Sequence, residues 1–172
     1  MGTVYIKGIQ VGGLNANDEK KYQLLIRLLP NMEDKELPIT KTVTKNGVFI
    51  LQSLDEIAFN YADISKSHIG ITILLNEEEK HVLGRLNLPL SWFQVNSIVR
   101  QEFPIRLRVK SEITPMVSLL VHVSDNGSQA FDAPEGQLLV IPAWNKPQTN
   151  QATPSINNQP RPQVRYLYPS NP

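Results

Sequence analysis

Along this chain apolar residues recur at every second position in short bursts, and Gly, Pro, Asn or clusters of charge separate the bursts. A period of two marks strands with one buried face, because successive side chains leave a strand on opposite sides. In the first run, Thr3 to Val11, Val4 and Ile6 alternate with Tyr5 and Lys7 before Gly12-Gly13, which reads as a turn. Tyr22, Leu24, Ile26 and Leu28 share one face of the second run, and Pro30 ends it because proline cannot donate a ladder hydrogen bond. A threonine-rich run from Ile39 to Thr44 leads to Asn46-Gly47, a strong hairpin signal, and to a short run from Val48 to Leu51.

Ile57, Phe59 and Tyr61 alternate cleanly, and Ile69 to Leu75 carries aliphatics on both faces, as a central strand does. After a turn over Asn76 to Lys80, Val82 to Leu90 places Leu86, Leu88 and Leu90 on one side. Phe103, Ile105, Leu107 and Val109 point one way while Arg106, Arg108 and Lys110 point the other, which predicts a strand with a basic face. Val117, Leu119, Val121 and Val123 line the last strand. About eight strands with turn signals every dozen residues or so, and almost no helical period, predict an all-β fold: an antiparallel eight-stranded β-sandwich. Its core is expected to include Ile26, Phe59, Ile71, Leu86 and Val121.

Beyond Asp125 the composition changes, dividing the chain into a body over 1–125 and an extended Pro/Asn-rich C-terminal tail over 126–172. Eight of the thirteen prolines fall in the tail. Ordering a residue costs about 1–2 kcal/mol of backbone entropy, and the tail has little apolar surface to offset that. Two islands depart from this composition. Leu138, Leu139, Val140 and Ile141 form the only four-aliphatic run after the body, with Trp144 just beyond, and Tyr166 and Tyr168 lie in Val164 to Tyr168. Exposed aliphatic runs are a solubility liability unless covered, so these residues are the expected partner-binding elements. The first island docks either on a neighbouring subunit or as a further strand of its own domain.

Three stretches in order resemble the C2 domain family over roughly residues 3 to 123. They are Val4-Tyr5-Ile6-Lys7-Gly8-Ile9 with Gly13-Leu14, then Asp55-Glu56-Ile57-Ala58-Phe59-Asn60-Tyr61, then Leu83-Gly84-Arg85-Leu86-Asn87-Leu88-Pro89-Leu90-Ser91. The resemblance implies a β-sandwich and a repertoire of calcium-dependent membrane docking, phosphoinositide binding on a basic face, or calcium-free protein binding. Calcium needs about six to eight oxygen ligands, mostly anionic. The first loop offers Asn15, Asn17, Asp18 and Glu19, but Lys20-Lys21-Tyr22 stands where the family usually has Asp-Pro-Tyr. In the third loop Asn76-Glu77-Glu78-Glu79-Lys80 replaces the family's Asp-x-Asp. Calcium-independent function is therefore expected, with no metal site and no cofactor.

The remaining chemistry narrows the function further. With no cysteine there is no disulfide framework and no thiolate nucleophile or zinc ligand. His68, His81 and His122 lie in different segments with no second ligand at a pairing distance, and no serine sits in a nucleophile elbow. No catalytic residue and no small-molecule substrate are expected. Seventeen Lys and Arg against sixteen Asp and Glu leave no global field for nucleic acid. Local basic groups are Lys7, Lys35, Lys41 and Lys45, which fit anionic lipid, and Arg106, Arg108 and Lys110, which fit lipid or an acidic partner. Edge lysines also serve to discourage strand-to-strand aggregation. The sequence points to a non-catalytic scaffold or protein-interaction subunit of a larger assembly, cytoplasmic or associated with the cytoskeleton or an organelle, neither secreted nor transmembrane. The alternative is a peripheral membrane module that binds anionic lipids through its basic strand faces.

Overall fold

The structure, a computed structural model, describes residues 1–15, 21–31, 34–43, 48–76, 80–109 and 113–145. They form ten strands: β1 (Gly2–Asn15), β2 (Lys21–Leu29), β3 (Lys35–Leu37), β4 (Thr40–Val43), β5 (Val48–Ser53), β6 (Ile57–Tyr61), β7 (His68–Asn76), β8 (Lys80–Pro89), β9 (Ser97–Pro104) and β10 (Met116–Ser124). One sheet runs β4-β5-β1-β10-β9, with β6 also paired to β1, and the other runs β3-β2-β7-β8. All pairings between these strands are antiparallel. The all-β sandwich expected from the alternating pattern is the observed architecture. Among the described residues no helix is long and apolar enough to cross a membrane.

The spine is β1, which pairs with β10 along one edge and with β6 and then β5 along the other. Gly12-Gly13 does not end this strand, contrary to the sequence reading. The register on β10 slips between Lys7 and Gln10 at Gly8 (φ +62°), and that on β5 slips between Val11 and Leu14 at Gly13 (φ +86°). Each slip adds one residue and so reverses which alternate positions face inward. The two glycines, free to take positive φ, thereby keep Val4, Ile6, Ile9, Val11 and Leu14 all in the core.

Between the sheets these residues meet Leu24, Ile26 and Leu28 of β2, Ile69, Ile71 and Ile73 of β7, and Leu86 and Leu88 of β8. Val117, Leu119, Val121 and Val123 of β10 complete the layer. Residues Ile69 to Leu74 are buried throughout, as expected of a central strand. Of the expected core residues Ile26, Ile71, Leu86 and Val121 are buried, whereas Phe59 is only partly so and packs on the core's margin. The rings of Phe93 and Phe103 meet edge to face, 6.3 Å apart at 67°.

The ninth strand differs from the expected Phe103 to Val109. It begins at Ser97, pairs with β10 from Ser97 opposite Val123 to Pro104 opposite Met116, and ends there. The chain then crosses to the other sheet. Ile105 N–H donates to Pro115 C=O (2.9 Å), Leu107 bridges Gly84, and Arg108 N–H donates to Leu83 C=O (2.8 Å). Alternation persists through this crossing because Ile105 is buried and Leu107 half-buried while Arg106 and Arg108 stay in solvent. Val109 is exposed.

Candidate interaction site

Past β10 the chain folds back over the outer face of the β1-β10-β9 sheet. A polar knot starts the return. Asn126 Oδ1 accepts from Ser128 N–H (3.0 Å) and from the Ser124 hydroxyl (3.2 Å), and Gly127 takes φ +75° between them. Asp125 is held by Asn96, whose amide donates to its carboxylate (2.6 Å) and accepts from its N–H (3.1 Å).

The fold-back brings Phe131 over His122. Alternation with inward Val121 and Val123 points His122 outward, yet it is fully buried. Its Nδ1 accepts the Phe131 N–H (3.1 Å), so the neutral ring carries its proton on Nε2, 3.2 Å from the Ser128 hydroxyl. Tyr5 stacks on the imidazole (5.4 Å, 30°), and Phe131 lies tilted against both rings. Burial pushes the His122 pKa below its ordinary value, with the nearby Asp132 carboxylate opposing in part.

Further on, 134–139 adds backbone pairing along the connection that precedes β9 and along its first residues. Ile98 N–H donates to Pro134 C=O (2.8 Å) and Gly136 N–H to Ile98 C=O (2.9 Å). Gln94 N–H reaches Gln137 C=O (3.2 Å) and Leu139 N–H reaches Trp92 C=O (2.7 Å). Gly136 is needed for this approach, since a Cβ there would run into the Cβ of Ser97. Leu138 bridges Phe93 and packs half-buried against the core.

At Leu139 this pairing stops, three residues before Pro142, and the side chains turn outward. Leu139, Val140 and Ile141 are 60%, 49% and 50% exposed, and Trp144 is 53% exposed while its ring meets Trp92 edge-on at 6.3 Å. Pro142 is buried between them in sequence. Among the described residues, then, the first aliphatic island holds its backbone on its own domain and presents four apolar side chains to solvent. Tyr166 and Tyr168 lie outside the described residues.

The basic residues divide differently from the sequence grouping. Lys7 Nζ stands 3.9 Å above the Phe131 ring, and Lys35 Nζ sits 4.6 Å over Phe59 and donates to Ala58 C=O (3.3 Å). Both lysines are thus engaged locally, on different rings. Of Lys41 only the backbone, in β4, is described, and Lys45 and Lys110 lie outside the described residues. Arg106 and Arg108 are exposed on the crossing segment, beside exposed Val109 and Ile113 and an open cavity of about 190 Å³ lined in part by Ile105, Leu107 and Pro115.

Among the described residues no group of three His, Cys, Asp or Glu is placed to hold a metal ion. Asn17, Asp18, Glu19 and Glu77 to Glu79 lie outside them. The reading of the sequence missed the His122–Ser128–Phe131 contact. Its one available sign was an aromatic residue placed shortly after an Asn-Gly turn that follows the last strand.

No protein-family model matches the chain, and no curated protein sequence does. Solved structures do. A C2 domain of plant Extended Synaptotagmin 1 superposes with a TM-score of 0.58 at 15% identity, covering 72% of this chain and 94% of that one. Human GIVD cytosolic phospholipase A2 superposes with a TM-score of 0.53 at 13% identity, covering 78% of this chain but only 18% of the enzyme. With two antiparallel sheets packed face to face, β1 as the spine of the larger, and this superposition on a C2 domain, the chain has the fold of a C2-type β-sandwich.

Proposed function

We propose that the chain is a non-catalytic, calcium-independent interaction subunit of a larger protein assembly, with Leu139, Val140, Ile141 and Trp144 as its docking surface and Tyr166 and Tyr168 as further contacts. One observation carries this reading: four apolar side chains, each about half exposed or more, project from a backbone already fixed by hydrogen bonds up to Leu139. A row anchored at Leu139 and by the Trp92–Trp144 contact loses less entropy on binding than a free segment, and a partly exposed Trp beside aliphatics has the composition of an interface anchor. Affinity purification of the tagged chain, with Ile141→Asp/Trp144→Ala beside wild type, tests it. Partner proteins present with wild type and lost from the variant, at an unchanged melt, support the reading. Retention of every partner sinks it. Calorimetric titration with calcium chloride tests the calcium-independent part, and binding tighter than about millimolar would overturn it.

A peripheral membrane role is the second reading, favoured by exposed Arg106 and Arg108 beside exposed Val109 and Ile113. Each basic group near an anionic surface contributes about 1 kcal/mol, so two give weak, salt-sensitive attachment. Flotation with anionic vesicles at low and moderate salt, comparing wild type with Arg106→Glu/Arg108→Glu, separates the two.

A further inference from the structure

We propose that residues 126–139 form a releasable strap, closed by neutral His122 and opened when that imidazole gains a proton. This goes beyond the docking surface above and holds whatever binds there. Both ring nitrogens of His122 are engaged in the closed strap. Nδ1 accepts the Phe131 N–H and Nε2 faces the Ser128 hydroxyl. A second proton can enter only at Nδ1, where it meets another N–H. The protonated ring therefore loses the Phe131 bond and sets two donors against each other. It would also be a cation in a site that admits no water.

The charges around the ring do not remove that conflict. From β1, Tyr5 stacks on it uncharged, and Lys7 over the adjoining Phe131 ring brings a second positive charge. From β9, Ile98 stands opposite and brings none. From the strap, Asp132 favours the cation, but burial outweighs it and the net shift is downward. The sign follows. The closed strap holds His122 at a lowered pKa, the open strap leaves it near its ordinary value of about 6.5, and closure is strongest above that value. It weakens as pH falls through the window between the two values. A single proton limits the change to about tenfold per pH unit.

The consequence reaches the apolar row. The His122 contacts with Ser128 and Phe131 anchor the start of the strap, and the pairing that leads to Leu139 follows them in the chain. Release lets the row move away from Trp92 instead of presenting it at a fixed place.

Amide hydrogen exchange on the full chain, corrected for intrinsic rates, tests this between about pH 7.5 and about pH 5. Expected are protection factors at Phe131, Gly136 and Leu139 that stay below those of the β7 amides and fall by up to tenfold per unit below about pH 6.5. His122→Gln, which keeps an acceptor and a donor but cannot gain a proton, should show no such fall. A fall of equal size in the variant overturns the proposal, as does a flat wild-type profile or strap protection equal to that of β7 at every pH. If the variant does not fold, an NMR titration of the wild-type imidazole decides. A His122 midpoint below 6.5 at which the fall in strap protection levels off supports the switch, and a fall that continues unchanged below that midpoint overturns it.

Discussion

Deleting the same ring at two depths gives a graded test of the packing. Phe103 is 0% exposed, fixed edge-on to Phe93, and surrounded by core residues. Phe103→Ala should lower stability by about 3–5 kcal/mol, the range for a ring whose loss leaves an unfilled cavity. Phe59 alternates in register with buried Ile57 and Tyr61, yet its ring is only partly covered and lies beneath Lys35. Losing roughly half the transfer and little cavity gives about 1.5–2.5 kcal/mol for Phe59→Ala. Of that, about 0.5–1 kcal/mol is the cation–π contact at an exposed site. A double-mutant cycle with Lys35→Met isolates that part. Urea denaturation followed by circular dichroism supplies the free energies, with m-values checked for constancy. A Phe59→Ala cost equal to or above that of Phe103→Ala would refute the assignment of depth. A coupling with Lys35 within error of zero would refute the contact.

Other expected outcomes concern the backbone and the strap. Gly8→Ala should cost about 1–2 kcal/mol by denaturation although no atom crowds a Cβ there, because the penalty lies in φ +62° alone, and Gly8→Asn should cost less. Gly136→Ala should part the strap from Ser97 with little change in the melt of the body, read as loss of the Trp92–Trp144 contact in intrinsic fluorescence. Tyr61 donates its hydroxyl to Ser124 C=O inside the protein, so Tyr61→Phe should cost about 1 kcal/mol. Burial, with the Asp125 charge adding to it, raises the Tyr61 pKa above its ordinary value of about 10. The neutral phenol's contribution is complete below about pH 10 and lost as pH rises through the raised value, and an alkaline melt series on wild type and Tyr61→Phe should show that loss only in wild type.

Strands whose inward positions are all apolar were legible from the sequence. Leu24, Ile26 and Leu28, or Val117 to Val123, could be read directly, because burial and period coincide there. β9 was missed at its start since its inward positions include Ser97 and Gln101, polar groups that blur the alternation before Phe103 appears. β3 is three residues with one buried side chain, Leu37, and exists through pairing to β2 rather than through any pattern of its own. Continuation of β1 through Gly12-Gly13 was illegible for a related reason, since a glycine pair marks a turn and a bulge alike. For the candidate site, the aliphatic island and Trp144 stood out by composition. What covers His122 did not, because an outward strand position is buried by a segment whose arrival no local pattern encodes.

The arrangement of β1 sets a timing problem for the ribosome. Of the ten described strands β1 is synthesised first, yet Thr3 must await Ser124, the last residue of β10, before its second edge is satisfied. Closing that pairing spans nearly the whole body, and such non-local contacts slow folding. Until then the nascent chain can assemble the β2-β7-β8 layer and the β5 and β6 partners of β1, but it carries an open strand edge that is free to recruit a neighbouring chain. Chains stalled or truncated before Met116 should therefore be the aggregating species in expression, and a holding chaperone should favour them over the finished protein.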